Sequence, residues 1–269
     1  MNHLEISAQL KSLREKKPLV HNITNIVVAN FVANGLLALG ASPVMASAKE
    51  EVADMVKIAN SLVINIGTLT STQVEAMLIA GRAANELGVP VILDPVGAGA
   101  TPYRTETVRK ILADVNVSII RGNAGEIANV IGQTLAVKGV DGGELELDTV
   151  SLAKTAAQKL GCIVVITGAD DVVTNGEETY LVSNGHPILT QVTGTGCLVS
   201  SVIAAFAAVG ENKLQSAVAA LTYYGVAAEV AEKNARSQGP GSFQIEFLNQ
   251  LAKVAKVEIT ELAEVAKID

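Results

Sequence analysis

Short apolar runs alternate with longer helical stretches along nearly the whole chain, and this pattern narrows the choice of fold. Four of the runs are predicted β-strands that end in polar or glycine residues: SLVINIG (61–67), VPVILD (89–94), VSIIR (117–121) and CIVVIT (162–167). Strands that alternate with helices are typical of a parallel sheet covered by helices on both faces. Segment 172–182 departs from this pattern, because Asn175-Gly176 between two β-rich runs predicts an antiparallel hairpin. We therefore predict an α/β fold with a central, mostly parallel sheet and one small hairpin.

The remaining segments predict further elements within a single domain over residues 1–269. The sequence predicts that Asn25 caps a helix closed by Gly40, and Thr70 with Gln73 has the spacing of a capping box before a helix that Gly88 stops. Other predictions are a strand over 43–46, a surface loop over 142–148, and helices over 50–60, 151–160, 198–209, 212–235 and 242–255. No linker, repeat or shift in composition marks a domain boundary.

Composition and charge argue against several classes of function. A net charge of −7 disfavours nucleic acid or an anionic membrane surface as a partner, because both favour clustered Lys and Arg. Two cysteines and three scattered histidines fit neither a disulfide framework nor a zinc site. The N-terminus lacks the apolar segment of a signal peptide, and no apolar run reaches the length of about 18 residues that a membrane helix requires. We expect a cytoplasmic protein.

The segment 193–197, Thr-Gly-Thr-Gly-Cys, leads directly into an apolar run that predicts a buried helix. Gly194 and Gly196 allow the backbone to approach a ligand, and the first N–H groups of a helix have no partner within it, so the segment is a candidate anion site. Cys197 has three interpretations: a covalent nucleophile, a weak base or positioning group beside a reacting hydroxyl, or a small residue that fits the space. Its place at a helix N-terminus predicts a lowered thiol pKa.

The polar residues that follow the predicted strands should converge at one edge of the sheet, where open parallel sheets bind ligands. Asp94 either holds Mg²⁺ or bonds the following turn. Asn123 and Glu126 either form a capping box or place Glu126 near metal-bound water and a phosphate. Arg121 ends an apolar strand and needs an anionic partner, for which a phosphate and an acid such as Glu126 both fit. Thr167 either bonds a phosphate or ribose, or caps its strand.

Two other polar features are ambiguous. Cys162 begins a buried strand and is predicted to be inert core. The segment 21–25, His-Asn-Ile-Thr-Asn, precedes an apolar helix, and its amides either face a substrate or stabilise the turn that leads into the helix. His21 by itself is predicted to be a hydrogen-bonded structural residue.

Six motifs, in order along the chain, resemble the hydroxyethylthiazole kinases of thiamin salvage. They are HNITN with VVANFVANGLLALGASPVM shortly after it, NIGTL, ILDPVGAGAT, RGNAGEI, VVITGADD and VTGTGC. The resemblance spans nearly the whole chain, to at least Tyr224. It implies the ribokinase-like fold and transfer of the γ-phosphoryl group of ATP to the hydroxyl of 4-methyl-5-(2-hydroxyethyl)thiazole. It also implies Mg²⁺ and a homotrimer with active sites between subunits.

The same resemblance implies a role for each matching residue. It assigns ATP contacts to Arg121, Thr167, Asn123, Gly168 and Gly196. It assigns metal-linked acids to Asp94 and Glu126, the latter closing the Asn-x-x-Glu element of the superfamily, and substrate contacts to Met45, Gly194, Asn25 and Gly67. Segment 193–197 becomes the anion hole for the transferred phosphoryl group. Cys197 stands where ribokinase-like sugar kinases usually carry Asp and thiazole kinases carry Cys, and it is the candidate catalytic residue.

Other functions compete with a thiazole kinase: another small-alcohol kinase, a nucleotide-dependent repair dehydratase of the same superfamily, or a non-catalytic nucleotide-binding protein. Cys197 argues against the dehydratase, whose equivalent loop is expected to carry Asp. Asp94, Arg121 and Glu126, present together with the glycine loop, argue against loss of catalysis.

Overall fold

The computed structural model describes residues 1–133, 149–236 and 238–268, so the loop predicted over 142–148 lies outside the described residues. The described strands form one nine-stranded sheet: β1 (Leu19–Ile23), β2 (Ser42–Val44), β3 (Ser61–Asn65), β4 (Val91–Asp94), β5 (Ile119–Gly122), β6 (Ile163–Ile166), β7 (Asp171–Thr174), β8 (Thr179–Val182) and β9 (Val265–Ile268). Their spatial order is β2-β1-β3-β4-β5-β6-β7-β8-β9. Neighbours from β2 to β6 run parallel, whereas β7, β8 and β9 extend the sheet with antiparallel pairs.

Helices cover both faces of the sheet. They are α1 (His3–Lys16), α2 (Ala29–Leu39), α3 (Val52–Ile58), α4 (Ser71–Leu87), α5 (Pro102–Asp114), α6 (Ala124–Val130), α7 (Thr149–Leu160), α8 (Thr195–Val209), α9 (Lys213–Ala235), α10 (Pro240–Lys253) and α11 (Lys256–Leu262). No helix in the described part of the chain is long and apolar enough to cross a membrane. The predicted α/β fold, with a mostly parallel sheet and an antiparallel hairpin at β7–β8, is confirmed.

Successive side chains of a strand point to opposite faces of the sheet, so the strands contribute to two separate core layers. Val63, Ile92 and Val165 join the layer with α1, α2, α8, α9 and α10. Leu62, Leu93 and Val164 join the opposite layer with α3, α4, α5, α6 and α7. Helix α8 is buried along almost its whole length, because it packs on the sheet on one side and on α9 on the other. Its N-terminus is therefore fixed in position at the carboxyl edge of the sheet.

Local signals placed several element ends correctly. Thr70 accepts a hydrogen bond from the backbone N–H of Gln73 at 3.2 Å, and Gly88, with a φ of 68°, ends α4. Gly40 ends α2 in the same left-handed conformation, with a φ of 104°.

The predicted role of Asn25 as a helix cap is wrong. Helix α2 begins at Ala29, and Val28 precedes it without a side-chain cap. The turn predicted over 21–25 is also wrong in part, since His21 to Ile23 lie in the buried strand β1. Elements α1, β1, α5, α11 and β9 were not indicated by the sequence patterns. In β1 the polar residues His21 and Asn22 obscure the apolar run that marks the other central strands.

Candidate active site

Four adjacent parallel strands bring polar side chains to one edge of the sheet. Asn65, the last residue of β3, pairs in register with Asp94, the last residue of β4. Arg121 lies one residue before the end of β5, and Thr167 directly follows β6. The predicted convergence of Asp94, Arg121 and Thr167 at this edge is therefore present.

Asp94 is almost completely buried, with 1% of its surface exposed. Its Oδ2 accepts hydrogen bonds from Asn65 Nδ2 at 2.8 Å and from Ser200 Oγ at 2.9 Å. Its Oδ1 has no hydrogen-bond partner among the described residues and lies 4.0 Å from Nη1 of Arg121. Burial raises the pKa of Asp94 to about 6, although Arg121 and Ser200 oppose this rise. One carboxylate oxygen is thus held in place and the other is free to meet a ligand.

Arg121 links β5 to the start of α8. Its Nη1 donates to the carbonyl of Gly196 at 2.9 Å, and its Nη2 donates to Oγ1 of Thr167. Its Nε is buried and has no acceptor in the described part of the chain. The acidic side chain paired with Arg121 is Asp94. The salt bridge between Arg121 and Glu126 that was considered from the sequence is therefore wrong. A guanidinium with a free N–H beside a cavity is suited to bind a phosphate oxygen.

The glycine segment that leads into α8 packs closely against neighbouring side chains. Gly194 has a φ of 95°, and a Cβ there would lie 2.9 Å from Val28 and 3.1 Å from Phe31. A Cβ on Gly196 would lie 3.1 Å from the guanidinium of Arg121. The backbone N–H groups of Gly196 and Cys197 make no hydrogen bond to any described residue, as expected for the first turn of a helix. This geometry provides donors for an anion at the N-terminus of α8.

Cys197 lies beside the side-chain amides of Asn25 and Asn65. Its Sγ receives a hydrogen bond from Asn25 Nδ2 at 3.4 Å. Burial and the nearby carboxylate of Asp94 raise the pKa of the thiol to about 11, although the Asn65 and Asn25 amides favour the thiolate. The predicted lowering of this pKa is wrong, because loss of solvation outweighs the helix N-terminus. Burial raises the pKa of Cys162 to about 12, which agrees with an inert thiol, but the residue is only partly buried against the core and lies just before β6.

Asn25 and Gly67 lie against each other beside Cys197. Asn25 Nδ2 donates to Asn65 Oδ1 at 2.9 Å, and the backbone N–H of Gly67 donates to the same oxygen at 2.9 Å. A Cβ on Gly67 would lie only 2.5 Å from Nδ2 of Asn25, so glycine is required there. Met45 follows β2 and is partly buried against the core layer of Val28, but no described hydrogen bond joins it to the other predicted site residues.

Asn123 and Glu126 form the capping box of α6. Asn123 Oδ1 accepts from the N–H of Glu126, and Glu126 Oε2 accepts from the N–H of Asn123, both at 2.9 Å. The other carboxylate oxygen, Oε1, accepts from the N–H of Gly97 at 2.8 Å. The capping interpretation is confirmed, and Glu126 also fixes the turn after β4 that contains Gly97.

A cavity of about 580 Å³ extends from Arg121 along the start of α8. Its polar end is formed by Arg121, Thr167, Gly168, Asp171, Thr195 and Gly196. Its other walls come from the segment after β8, from α8 and from α9: Asn184, Gly185, His186, Pro187, Leu189, Thr190, Val199, Leu221, Tyr224 and Gly225. A cavity of this size, lined by Arg121, by other polar groups and by apolar side chains, suits a nucleotide.

Several residues that the sequence analysis missed support this site. Asn65 and Ser200 hold Asp94, and the hydroxyl of Tyr224 donates to the carbonyl of Thr195 at 2.7 Å, at the first residue of α8. Arg104 donates to the carbonyls of Ile66, Gly67 and Val96 and so clamps the turns after β3 and β4. A polar residue inside an otherwise apolar strand or helix was the available signal for Asn65 and Ser200.

Asp171 is a further missed residue, and it gives a pH-dependent prediction. Its Oδ1 accepts from the N–H of Gly168 at 3.0 Å, and burial raises its pKa to about 6. The raised pKa means that the folded state disfavours the ionised carboxylate, so stability falls as the pH rises from about 4 to about 6. Asp171→Asn keeps the acceptor for Gly168 and removes this cost. We expect the variant to be about 1 to 2 kcal/mol more stable at pH 7.5 and equal to the parent near pH 4.

Thermal and urea unfolding across this pH range checks the prediction. A stability gain that is the same at pH 4 and pH 7.5 would show that ionisation of Asp171 is not its source.

The acidic residues present fit a bound Mg²⁺ ion. No group of three or more His, Cys, Asp or Glu side chains within residues 1–133, 149–236 and 238–268 is arranged to hold a metal. Mg²⁺ is commonly bound by one or two carboxylates together with waters and substrate phosphates. The buried, unpartnered Oδ1 of Asp94 is a suitable ligand atom, whereas both oxygens of Glu126 already accept backbone hydrogen bonds.

Comparison with known proteins gives a consistent result. The model of the hydroxyethylthiazole kinase family matches residues 10–257. The chain is also similar to the solved structure of a hydroxyethylthiazole kinase from Pyrococcus horikoshii. The two are 44% identical over 99% of this chain and 100% of that chain, with a TM-score of 0.90.

Two more distant structures share the fold. A ribokinase-like superfamily protein from Enterococcus faecalis is 14% identical over 92% of this chain and 95% of its own, with a TM-score of 0.63. The ADP/ATP-dependent NAD(P)H-hydrate dehydratase from Bacillus subtilis, co-crystallised with ATP and Mg²⁺, is 17% identical over 94% and 96%, with a TM-score of 0.62. At these identities the similarity shows the fold alone, and it confirms the predicted ribokinase-like fold.

Proposed function

The chain belongs to the hydroxyethylthiazole kinase family and is a kinase, and we propose that it transfers the γ-phosphoryl group of ATP to the hydroxyl of 4-methyl-5-(2-hydroxyethyl)thiazole. The observation that carries this proposal is a pair of unsatisfied buried atoms. Asp94 Oδ1 and Arg121 Nε both lack a partner among the described residues, and the two side chains lie 4.0 Å apart. Asp94 Oδ1 can bind a cation and Arg121 Nε can donate to an anion, so a metal ion with a bound phosphate would satisfy both.

On the donor side, ATP occupies the cavity of about 580 Å³ with its phosphates toward Arg121. Arg121 Nε, the Thr167 hydroxyl and the N–H groups at the start of α8 bind phosphate oxygens, and Gly168 lines the cavity beside them, with its own N–H bonded to Asp171. Asn123 contributes by holding the turn into α6. The start of α8 forms the anion hole for the transferred group, supported by its unpaired N–H groups and the helix dipole.

Asp94 would hold Mg²⁺, and Glu126 would support the site by fixing the turn at Gly97. When bound, the ion neutralises charge on the phosphates during transfer. Asp94 keeps its free oxygen directed to the site because Asn65 and Ser200 hold the other one. The rise of its pKa to about 6 leaves it mostly ionised at pH 7.5 and above.

On the acceptor side, the thiazole alcohol is bound by Asn25, Gly67, Gly194 and Met45, with its hydroxyl beside Cys197. The transition state of phosphoryl transfer is loose, so positioning and charge stabilisation do most of the work and a strong base is not required. A thiol with a pKa of about 11 is protonated at neutral pH and therefore acts by positioning the hydroxyl. This makes the covalent interpretation of Cys197 the weakest of the three.

Substitution of Cys197 tests this role. Cys197→Ser is expected to stay active, with kcat within about tenfold of the parent, and Cys197→Asp to retain or raise turnover, because a carboxylate accepts a proton from the hydroxyl more readily. Steady-state kinetics with varied thiazole alcohol measure both effects. Complete loss of activity in a folded Cys197→Ser protein would contradict the positioning role and restore the covalent one.

The test of the proposed function is release of ADP with a panel of acceptors. The thiazole alcohol should stimulate ADP formation in the presence of Mg²⁺, whereas sugars and hydroxymethylpyrimidine should give little above the rate without acceptor. Stimulation by another alcohol alone would favour a different small-alcohol kinase. ATP-dependent dehydration of a hydrated nicotinamide cofactor would favour the repair dehydratase.

We further propose a single-domain cytoplasmic enzyme that acts as a homotrimer with active sites between subunits. Two apolar side chains next to Asn25 support an interface at the acceptor side, because Ile26 is 79% exposed and Val27 is 66% exposed. Sedimentation equilibrium of the parent and of Ile26→Glu, which places a charge in that surface, measures the assembly directly.

A further inference from the structure

Asn65 occupies the junction between the two halves of the candidate site. It is the last residue of β3, is 1% exposed, and lies next to Asp94 in the sheet. Its Nδ2 donates to Asp94 Oδ2 at 2.8 Å. Its Oδ1 accepts from Asn25 Nδ2 and from the N–H of Gly67, both at 2.9 Å. One amide group therefore contacts the metal-linked acid on one side and two acceptor-side residues on the other.

The orientation of this amide is determined by its neighbours. The backbone N–H of Gly67 can only donate, so the atom of Asn65 that faces it must be the oxygen. The nitrogen then faces the carboxylate of Asp94, which accepts. A flipped amide would place two donors against each other at Gly67 and two acceptors against each other at Asp94. Neither arrangement is tolerated in a buried site.

The donor side depends on this orientation. Asp94 Oδ2 is held by Asn65 Nδ2 and by Ser200 Oγ, so the carboxylate plane is fixed and Oδ1 stays toward Arg121. Ser200 provides a useful contrast, because it reaches Asp94 from α8 and makes no bond to Asn25 or Gly67.

The acceptor side depends on the same group. Asn25 Nδ2 bonds both Asn65 Oδ1 and Cys197 Sγ, so the position of Asn25 beside the thiol follows from Asn65. Gly67 is held by the same oxygen in a space that leaves no room for a Cβ.

We infer that Asn65 is a positioning residue that couples the phosphoryl-donor and acceptor halves of the site, by fixing Asp94 with its amide nitrogen and Asn25 and Gly67 with its amide oxygen. The inference rests on the proposed function for the names of the two halves. Asn65 acts through these residues and does not itself touch the reacting atoms.

Two variants separate the two ends of the amide. Asn65→Ala removes both and is expected to lower kcat by about 30-fold or more and to weaken binding of the thiazole alcohol about tenfold. Asn65→Asp keeps an acceptor for Gly67 and Asn25 but sets a carboxylate against Asp94, so kcat should fall by a similar factor while affinity for the alcohol stays within about twofold.

Two serine variants on α8 complete the comparison. Ser200→Ala should lower kcat and leave the affinity for the alcohol unchanged. Ser201 lies next to Ser200 on α8, and its hydroxyl donates to Asn22 of β1, so Ser201→Ala is the matched control and should change neither.

Steady-state kinetics and calorimetric binding of the alcohol without nucleotide supply these values. Equal loss of affinity for the alcohol in Asn65→Asp and Asn65→Ala would overturn the inference, since the two ends of the amide would then not act separately.

Hydrogen exchange of the Gly67 amide in the ligand-free protein provides a readout that requires no substrate. Exchange should accelerate by about tenfold or more in Asn65→Ala and remain near the parent rate in Asn65→Asp, Ser200→Ala and Ser201→Ala. Should the parent fail to bind the thiazole alcohol, the proposed function fails, and the exchange pattern alone then decides the inference. An unchanged Gly67 exchange rate in Asn65→Ala would overturn it.

Discussion

Arg121→Met is expected to lower kcat by about 10³-fold, the size of effect seen when a preorganised donor to a developing negative charge is removed. Among the described residues that line the cavity, Arg121 is the one Lys or Arg side chain. It also orders its surroundings, since Nη1 holds the carbonyl of Gly196 and Nη2 holds Thr167. Methionine keeps the length and apolar stem of the side chain but removes the charge and all five donors. The KM for ATP should rise together with the fall in kcat.

Two further variants make this result specific. Arg121→Lys keeps the charge without the planar fork, so an intermediate loss of about 10- to 100-fold is expected. Arg109→Met removes an exposed arginine of α5 and should leave kinetics unchanged. An Arg121→Met protein with near-normal kcat would show that phosphate charge is stabilised elsewhere.

Asp94→Asn is expected to abolish turnover to a similar extent, with a loss of about 10³-fold or more in kcat. The asparagine fills the same space and can still accept from Asn65 and Ser200, but it places a neutral group where Oδ1 now lies free. The folded state should not be weakened, because the parent holds a carboxylate whose pKa burial has raised to about 6. A neutral amide removes that cost of ionisation at pH 7.5.

The measurement pairs kinetics at varied Mg²⁺ with thermal unfolding of the ligand-free proteins. Asp114→Asn, which removes an exposed carboxylate paired with Arg82, is the control and should behave as the parent in turnover. If Asp94→Asn retains more than a tenth of parental kcat at saturating Mg²⁺, Asp94 does not hold the ion.

Much of the site was predictable because parallel strands have a simple geometry. Once the apolar runs are assigned to one parallel sheet, the residues at their ends must meet, and Asp94, Arg121 and Thr167 do so. The glycine segment 193–197 could also be predicted as a candidate anion site, because its glycines directly precede an apolar run that forms a buried helix. Strong local signals also defined the ends of α2 and α4, at Gly40 and Gly88.

The features that sequence reasoning missed depend on burial and on contacts between distant segments. Asn65 and Ser200 are polar residues within apolar runs, and only the packed structure shows that both reach Asp94. The error over the pKa of Cys197 has the same origin, because its position at a helix N-terminus is visible in the sequence and its loss of solvent is not. Asn25 resembles a helix cap by spacing, but Asn65 and Cys197 take up its side chain.

Transfer of label from [γ-³²P]ATP distinguishes phosphorylation of the thiazole alcohol from other uses of the nucleotide. With Mg²⁺ and the parent protein, we predict one labelled phosphate on the thiazole hydroxyl for each ADP formed, no label on the protein after quenching, and no transfer by Asp94→Asn. Formation of ADP without labelled thiazole, or label retained on the protein at Cys197, would contradict direct transfer to this alcohol.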